Sequence, residues 1–294
     1  MPDQIVLKGI SAHGHHGVLD FEKRDGQTFV VDVTMQVDLG PAGSSDDLAD
    51  TVNYAEVAGD VVALIQGEPL DLIEALAARI ADKVLTRPLV EAVEVVVHKP
   101  QAPVGHPFTD VQVRVSRERQ ALVVIALGSN VGSSVETLHD ATVELYGLID
   151  ITEVSPVVET DPVGGPDQPV YLNAVVTGTT HLAPSSLLAG LHEIELSHGR
   201  TREVRWGPRT LDLDLVQYGD PVFDTDVVMD TTSLTLPHPR AHERAFVLVP
   251  WLQIEPEAVL RVDGSVRRVA DLVAGLDTSG VRPGPDVDLL EGPW

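Results

Sequence analysis

In the stretch TLDLDL at 210–215, Asp212 and Asp214 alternate with Leu211, Leu213 and Leu215. A strand turns successive side chains to opposite faces, so both carboxylates project from one face with α-carbons roughly 6.6 Å apart, twice the per-residue rise. Such a pair suits one or two Mg2+ ions, which take carboxylate, phosphate and water oxygens together. The polar side of an edge strand gives the same pattern. Just upstream, GRTREVRWGPRT places Arg200, Arg202, Arg205 and Arg209 within ten residues, and PHPRAHER adds His238 and Arg244. Guanidinium forks match phosphate oxygens, although a solvated loop would also carry them. Phosphoryl transfer is mostly positioning and charge neutralisation, which a carboxylate pair and clustered cations together provide. No Walker-type glycine loop accompanies them, which argues against a P-loop enzyme.

The first half offers acid–base chemistry instead. Lys99 ends the apolar run VEVVVHK just before Pro100. An amine there is either partly desolvated, with its pKa lowered towards neutrality, or a strand-end lysine reaching for water. Tyr54 follows TVN at a helix start, and Glu22 lies in the loop VLDFEKRDGQ. Glu74 in DLIEALA is a candidate carboxylate, but Asp71 three residues earlier makes a capping-box-like helix start an equal reading. His13, His15 and His16 crowd a glycine-rich loop, AHGHHGV, without the i,i+4 spacing of a helical zinc site, so a turn-forming or surface role is expected.

These groups must be held by regular elements. Period-two alternation marks strands at 4–8, 27–38, 92–98 and 110–116, and helix-period stripes run through 54–66 and 72–86. Residues 40–50, rich in Gly, Pro, Ser and Asp, read as a loop. The first half is thus ββααββ. After the polar segment SRERQ at 116–120, strands at 122–127, 151–160, 171–178 and 211–218 alternate with helices at 134–147 and 184–198. That βαββαβ order predicts a ferredoxin-like antiparallel sheet with both helices on one face. A last helix is expected near 242–253. The whole is an α+β chain divided at 1–119 and 120–276, with 277–294 as a loosely held tail.

Composition limits the partners. Lys plus Arg number 20 against 45 Asp plus Glu, a net charge of −25 over 294 residues. Residues 121–294 hold ten Arg and no Lys against 26 acids. Polyanionic nucleic acid and anionic membrane surfaces are therefore excluded as partners, while a local arginine cluster still admits a small anion. The absence of cysteine removes disulfides, thiolate nucleophiles and Cys-ligated zinc. No apolar run approaches the ~20 residues of a membrane span. The start MPDQIVLKG lacks the basic region of a signal peptide, so a cytoplasmic protein is expected.

The ordered set ALGSNVG, ETDPVGGPDQPVYLNAVV, EIELSHGRTREVRWGPRTLDLDL and LPHPRAHERAFVL resembles the 6-hydroxymethyl-7,8-dihydropterin pyrophosphokinases over about 122–275. The resemblance implies transfer of pyrophosphate from ATP to a pterin hydroxymethyl group, with AMP released. It implies that Asp212 and Asp214 hold two Mg2+ and that Arg200, Arg202, His238 and Arg244 surround the triphosphate. Glu195 would stand at a helix end near the nucleotide, and Trp206 and Arg209 in a loop that closes on the substrates. Arg200 and Arg209 are the arginines assigned to catalysis. Tyr171 and Phe246 would sandwich the pterin, and Asn173 and Thr160 would read its amide edge. Two departures stand out: the arginine loop is one residue shorter, and Asp161 replaces a common proline.

The first half, through GISAHGHHGVLDFEKRDGQTFVVDV, DTVNYAEV, LIEALAARIA and VHKPQAPVGH, resembles the dihydroneopterin aldolases over nearly all of 1–119. That implies a tunnel-fold domain whose subunits close a barrel, as a tetramer or octamer, with active sites between them. Glu74 would anchor the amino-pyrimidine edge. Lys99, through a water, would take the 2′-hydroxyl proton, Tyr54 would help reprotonate the intermediate, and Glu22 would position the diol, with no metal or Schiff base. The two resemblances imply one bifunctional folate-pathway enzyme. The alternatives are a monofunctional pyrophosphokinase carrying an oligomerising scaffold or pterin epimerase, or a zinc-dependent pterin enzyme in the first half.

Overall fold

The alternation in QTFVVDVTMQ is realised in a strand that buries one face completely. Strand β1 (Gln4–Gly14) runs antiparallel to β2 (Gln27–Gln36) in the computed structural model. Phe29, Val31, Val33 and Met35 are fully buried, and the residues between them point to the other, half-buried face. The structure describes residues 3–162, 168–199 and 210–291. The chain divides into two units, Met1–Arg119 and Gln120–Trp294.

In the first unit β1 runs well beyond 4–8. Gly9 takes φ +74°, the register shifts between Leu7 and Ile10, and the Gly9 N–H donates to Asp32 Oδ1 at 2.8 Å. The bulge breaks the period-two pattern and hides the second half of the strand. Short helices α1 (Asp20–Asp25) and α2 (Gly40–Ser45) and a 3-10 turn (Leu48–Asp50) occupy segments expected as loops. Two longer helices follow, α3 (Tyr54–Ile65) and α4 (Ile73–Leu85), and then β3 (Ala92–His98) and β4 (Gln112–Glu118). The sheet order is β1-β2-β3-β4, antiparallel throughout. In α4 the stripe Ile73, Leu76, Ala77, Ile80 and Val84 is buried in one cluster with the apolar face of β2. Full burial of each larger aliphatic side chain contributes about 1.5–3 kcal/mol.

The second unit follows the βαββαβ order: β5 (Ala121–Ser129), α5 (Ser134–Leu145), β6 (Asp150–Val154), β7 (Val158–Thr160), β8 (Tyr171–Thr180), α6 (Pro184–Ser197) and β9 (Asp212–Tyr218). The segment 151–160, expected as one strand, is two. Pro156 has no N–H to give the ladder, which is interrupted between Val154 and Val158. Two residue pairs, β10 (Met229–Asp230) and β11 (Thr235–Leu236), form a ribbon. Then come α7 (Ala245–Ile254), the hairpin of β12 (Val259–Val262) and β13 (Ser265–Arg268), α8 (Val269–Ala274) and β14 (Val281–Pro283).

The large sheet is ordered β14-β7-β8-β5-β9, with β6 also on β8. One face packs α5 and α6 over Val123, Ile125, Leu127, Ala174, Val176, Leu213 and Leu215. The other packs Val247, Leu248 and Trp251 of α7, with the hairpin, over Val124, Ala126, Val175 and Val216.

The loose tail expected from 277 onward is corrected. Strand β14 pairs with β7, Leu289 is 2% exposed, and the Leu289 carbonyl bonds His139 Nδ1 at 2.9 Å. Its apolar anchors are few: Leu289 enters the core and Val287 packs against it. Among the described residues, no helix is long and apolar enough to cross a membrane.

Candidate active sites

In the first unit Lys99 and Glu22 form a buried ion pair, Nζ to Oε1 at 2.6 Å, with side chains 10% and 4% exposed. Lys99 sits one residue past the end of β3, its backbone N–H held by the Val111 carbonyl at 2.8 Å. Its ammonium also donates to the His16 carbonyl at 3.3 Å and lies 5.8 Å from the centroid of Phe29. Glu22 comes from α1, and its carboxylate accepts the Leu19 N–H at 3.1 Å and the Gln27 amide at 3.3 Å. Gly17 makes room for it: a Cβ there would lie 2.4 Å from Glu22 Cδ. Burial pushes the Glu22 carboxyl up, but Lys99, the Leu19 N–H and Gln27 together hold it below its ordinary range.

Tyr54 and Glu74 stand apart from that pair on the surface. Tyr54 is 59% exposed at the first position of α3, which Asn53 caps by accepting the Ala55 N–H. Glu74 is exposed in the first turn of α4, whose N-cap residue is Leu72. The capping-box reading is corrected, because Asp71 is drawn instead to Lys23 at 2.6 Å. Val18, Leu19 and Phe21, just before Glu22 in the chain, and Leu72, just before Glu74, are also exposed.

The histidines serve the turn. His13 Nε2 meets the Asp25 carbonyl at 3.2 Å, and His15 Nδ1 meets the Lys23 carbonyl at 2.9 Å. His16, expected near the surface with them, is fully buried, with Nε2 donating to Ile65 O at 2.8 Å and Nδ1 accepting the Leu70 N–H at 3.1 Å. Burial lowers its pKa below the ordinary 6.5. The folded state therefore resists a proton that the unfolded chain accepts. Stability of this unit is expected to decline as pH falls below about 6.5, and to be flat above it on this account. Urea midpoints measured from pH 8 to 5 check this; His16→Gln should lower stability at pH 8 and flatten that part of the profile.

In the second unit the sheet register builds a row across three strands. Gly128 of β5 pairs with Asn173 of β8 on one side and Asp212 of β9 on the other. A Cβ at Gly128 would lie 3.3 Å from Asn173 Oδ1 and 4.0 Å from Asp212 Cβ, so glycine leaves the space between these polar groups open. Asp214, two residues along, shares the face of Asp212, while Leu213 and Leu215 enter the core on the helix side. Arg244 Nη1 bonds Asp214 Oδ2 at 2.5 Å, and its guanidinium lies 5.8 Å from the Phe246 ring centroid. His238 Nε2 is 3.9 Å from the same carboxylate oxygen, and its Nδ1 accepts the Arg240 N–H at 3.2 Å. Burial lowers the His238 pKa, partly opposed by Asp214.

On β7 and β8, Asn173 Nδ2 donates to Thr160 Oγ1 at 3.0 Å, and half-buried Tyr171 pairs with Thr160 across the ladder. Glu195, expected at a helix end near the nucleotide, lies at the end of α6. It is 1% exposed and accepts the Leu213 N–H at 2.7 Å, fixing the backbone between the two aspartates. Sequence reasoning missed Asn130, which is 2% exposed and donates to Gln168 Oε1 and the Pro169 carbonyl, both at 3.2 Å. The only hint was its place in the segment ALGSNVG. Arg200, Arg202, Trp206 and Arg209 lie outside the described residues.

Asp212 and Asp214 offer the hard oxygen donors that Mg2+ prefers. Among the described residues, no cluster of three or more His, Asp or Glu is placed to hold a metal. Two carboxylates, with the remaining positions left to water and phosphate, match Mg2+ better than an all-protein cage.

Two packed units, one with a buried acid–base pair and one with carboxylates and cations on an open strip of sheet, make this a multifunctional enzyme. The chain belongs to two families, matching the model described as Dihydroneopterin aldolase over residues 5–116 and the 7,8-dihydro-6-hydroxymethylpterin-pyrophosphokinase model over 124–256. It is 52% identical over 117 residues to a dihydroneopterin aldolase of Streptomyces coelicolor, covering 40% of this chain and 98% of that protein. It is 41% identical over 169 residues to the 2-amino-4-hydroxy-6-hydroxymethyldihydropteridine pyrophosphokinase of Mycobacterium leprae, covering 54% of this chain and 87% of that one. A folic acid synthesis protein of Pneumocystis carinii is 29% identical over 299 residues, 96% of this chain and 40% of its own length. A lyase family and an ATP-using kinase family of folate biosynthesis thus share one chain.

Proposed function

We propose that the chain catalyses two consecutive reactions, retro-aldol cleavage of 7,8-dihydroneopterin followed by pyrophosphorylation of the resulting 6-hydroxymethyl-7,8-dihydropterin. The observation that carries the reading is the strip Thr160–Asn173–Asp212–Asp214–Arg244 on one sheet face, in a chain whose other unit buries Lys99 against Glu22. We assign the first reaction to 1–119 and the second to 120–276, braced by the C-terminal segment.

In the first unit Lys99, through a water, accepts the 2′-hydroxyl proton while Glu22 holds the diol. The C1′–C2′ bond breaks, C2′ leaves as the carbonyl carbon of glycolaldehyde, and its electron pair passes to C1′ and the ring. Tyr54 helps return a proton to C1′. Glu74 binds the amino-pyrimidine edge, and no metal takes part. Tyr54 and Glu74 are exposed, as are the large apolar side chains Val18, Leu19, Phe21 and Leu72, which supports a homo-oligomer, tetramer or octamer, that assembles the site between copies.

In the second unit Tyr171 and Phe246 stack on the pterin, and Asn173 and Thr160 read its amide edge. Asp212 and Asp214 are the residues that would hold two Mg2+, which when bound supply charge neutralisation at the phosphates. His238, Arg244, Arg200 and Arg202 bind the triphosphate, and Arg209 and Trp206 act on the bound substrates. Glu195 acts by fixing β9. The pterin hydroxymethyl oxygen attacks the β-phosphorus of ATP, the bond to the bridging oxygen of the α-phosphate breaks, and AMP leaves. The substrates are soluble small molecules, and a cytoplasmic site, with neither nucleic acid nor membrane as partner, accords with the net charge of −25.

The test supplies 7,8-dihydroneopterin, ATP and Mg2+ and follows glycolaldehyde and AMP. Both are expected, with AMP appearing after a lag. Failure to form AMP from 6-hydroxymethyl-7,8-dihydropterin overturns the second activity. Unchanged dihydroneopterin together with a large native mass identifies the first unit as a scaffold.

A further inference from the structure

The C-terminal segment beyond residue 276 lies outside the stretch matched to the pyrophosphokinase family, residues 124–256, yet it closes one edge of that unit's sheet. Strand β14 pairs residue by residue with β7: Val281 with Thr160, Arg282 with Glu159 and Pro283 with Val158. Beyond it the Gly284 N–H bonds the Val157 carbonyl at 2.9 Å, and the Leu289 side chain is buried in the core under α5. Between this strap and α7 lies a cavity of about 340 Å3 lined by Val157, Val249, Gln253 and Pro283. The strap is therefore tied to β7 by ladder bonds more than by close packing on α7.

One side-chain contact joins the strap to the site. Arg282 Nη1 and Nη2 bond Asp161 Oδ2 and Oδ1, both at 2.8 Å, in a two-pronged pair. Asp161 directly follows Thr160, whose hydroxyl accepts the Asn173 amide. An aspartate does nothing by itself to stiffen the chain, and β7 is only three residues long. The guanidinium fork supplies from across the sheet the stiffness that the local sequence lacks. It also holds the Asp161 carboxyl below its ordinary range.

We propose that Arg282 is a positioning residue of the pyrophosphokinase site: through Asp161 it fixes Thr160 and, with it, the Asn173 amide that reads the pterin. The inference rests on the assignment of Thr160 and Asn173 to the pterin. The nucleotide side, on β9 and the 238–244 segment, is independent of this pair. The effect therefore falls on pterin affinity, leaving turnover and ATP unaffected.

Steady-state kinetics of the full chain separate the two claims. Arg282→Ala and Asp161→Ala are each expected to raise the KM for 6-hydroxymethyl-7,8-dihydropterin about three- to five-fold, as befits a well-formed but exposed pair. kcat, the KM for ATP and glycolaldehyde release should stay at the parent level. Arg282→Lys keeps the charge but loses the fork, and should recover only part of the affinity. The exchange Asp161→Arg with Arg282→Asp should restore it. Amide exchange at Val158–Thr160 should quicken in Arg282→Ala and return to the parent rate in the exchange variant. Asn173→Ala is the control for the underlying assignment. If it leaves pterin KM unchanged, that assignment is wrong. If it raises pterin KM while Arg282→Ala and Asp161→Ala do not, the positioning role of Arg282 is overturned. A fall in kcat or a change in ATP KM in Arg282→Ala overturns it as well.

Discussion

Asp212→Asn is expected to lower AMP release from 6-hydroxymethyl-7,8-dihydropterin and ATP by about 10^3-fold, while glycolaldehyde release from dihydroneopterin stays at the parent level. The amide keeps the size of the side chain and its place on β9 but removes the charge. A carboxylate that helps hold Mg2+ at transferring phosphates contributes several kcal/mol to transition-state stabilisation, and about 4 kcal/mol corresponds to that loss. The edge-strand reading predicts the opposite. β9 is the last strand of its sheet, and Asp212 and Asp214 share a face. Were they only a solvated polar edge, removing one of two like charges would leave turnover intact and stability equal or slightly higher. A Mg2+ titration distinguishes a metal defect from a distorted strand, because excess Mg2+ should recover part of the loss in Asp212→Asn. AMP release within ten-fold of the parent, with an unchanged Mg2+ dependence, would sink the assignment. Asp214→Asn should be at least as damaging, since it also strips Arg244 of its 2.5 Å partner.

What was legible in the sequence followed from periodicity. β2 and α4 bury the residues their spacing selected, and LDLDL turned its leucines inward and its aspartates outward. The expectations that went astray depended on contacts distant in the chain or on breaks in the period. The bulge at Gly9 cut the visible strand short, and Pro156 split another. His16 sat in a run of loop histidines, yet its two partners, Ile65 and Leu70, lie 49 and 54 residues away. The contact of Glu195 with the Leu213 N–H, 18 positions on, had no sign in the spacing either. The C-terminal segment, sparse in apolar residues, gave no sign that Leu289 reaches the core or that Arg282 meets Asp161 across 121 positions. Family resemblance named Lys99 and Glu22 separately; their 2.6 Å contact is a product of the fold.

That contact makes Lys99→Met the second substitution with a large expected effect, and the effect has two parts. Without the Lys99 amino group, glycolaldehyde release should fall by about 10^2- to 10^4-fold, the range of a lost general base, while AMP formation from supplied 6-hydroxymethyl-7,8-dihydropterin continues. The first unit should also lose about 3–5 kcal/mol of stability, because Glu22 is left buried without its counter-charge. Destabilisation alone would also lower activity, so the two parts must be separated. In Lys99→Met combined with Glu22→Gln, the amide still accepts the Leu19 N–H and no buried charge remains. Most of the stability should return; the activity should not. The pH dependence gives a further sign. In the parent, Glu22 titrates below its ordinary 4.5, so its contribution is present above that pH and is lost as pH falls through the lower folded value. In Lys99→Met, burial acts with its main opponent removed and pushes the carboxyl upward. The folded variant then takes up a proton before the unfolded chain does, and its deficit against the parent should narrow as pH falls. Urea midpoints at pH 8 and pH 5 read this directly. A deficit that stays constant between those values would mean that the pair does not carry the stability. Cleavage within ten-fold of the parent in the double variant would remove Lys99 from the chemistry.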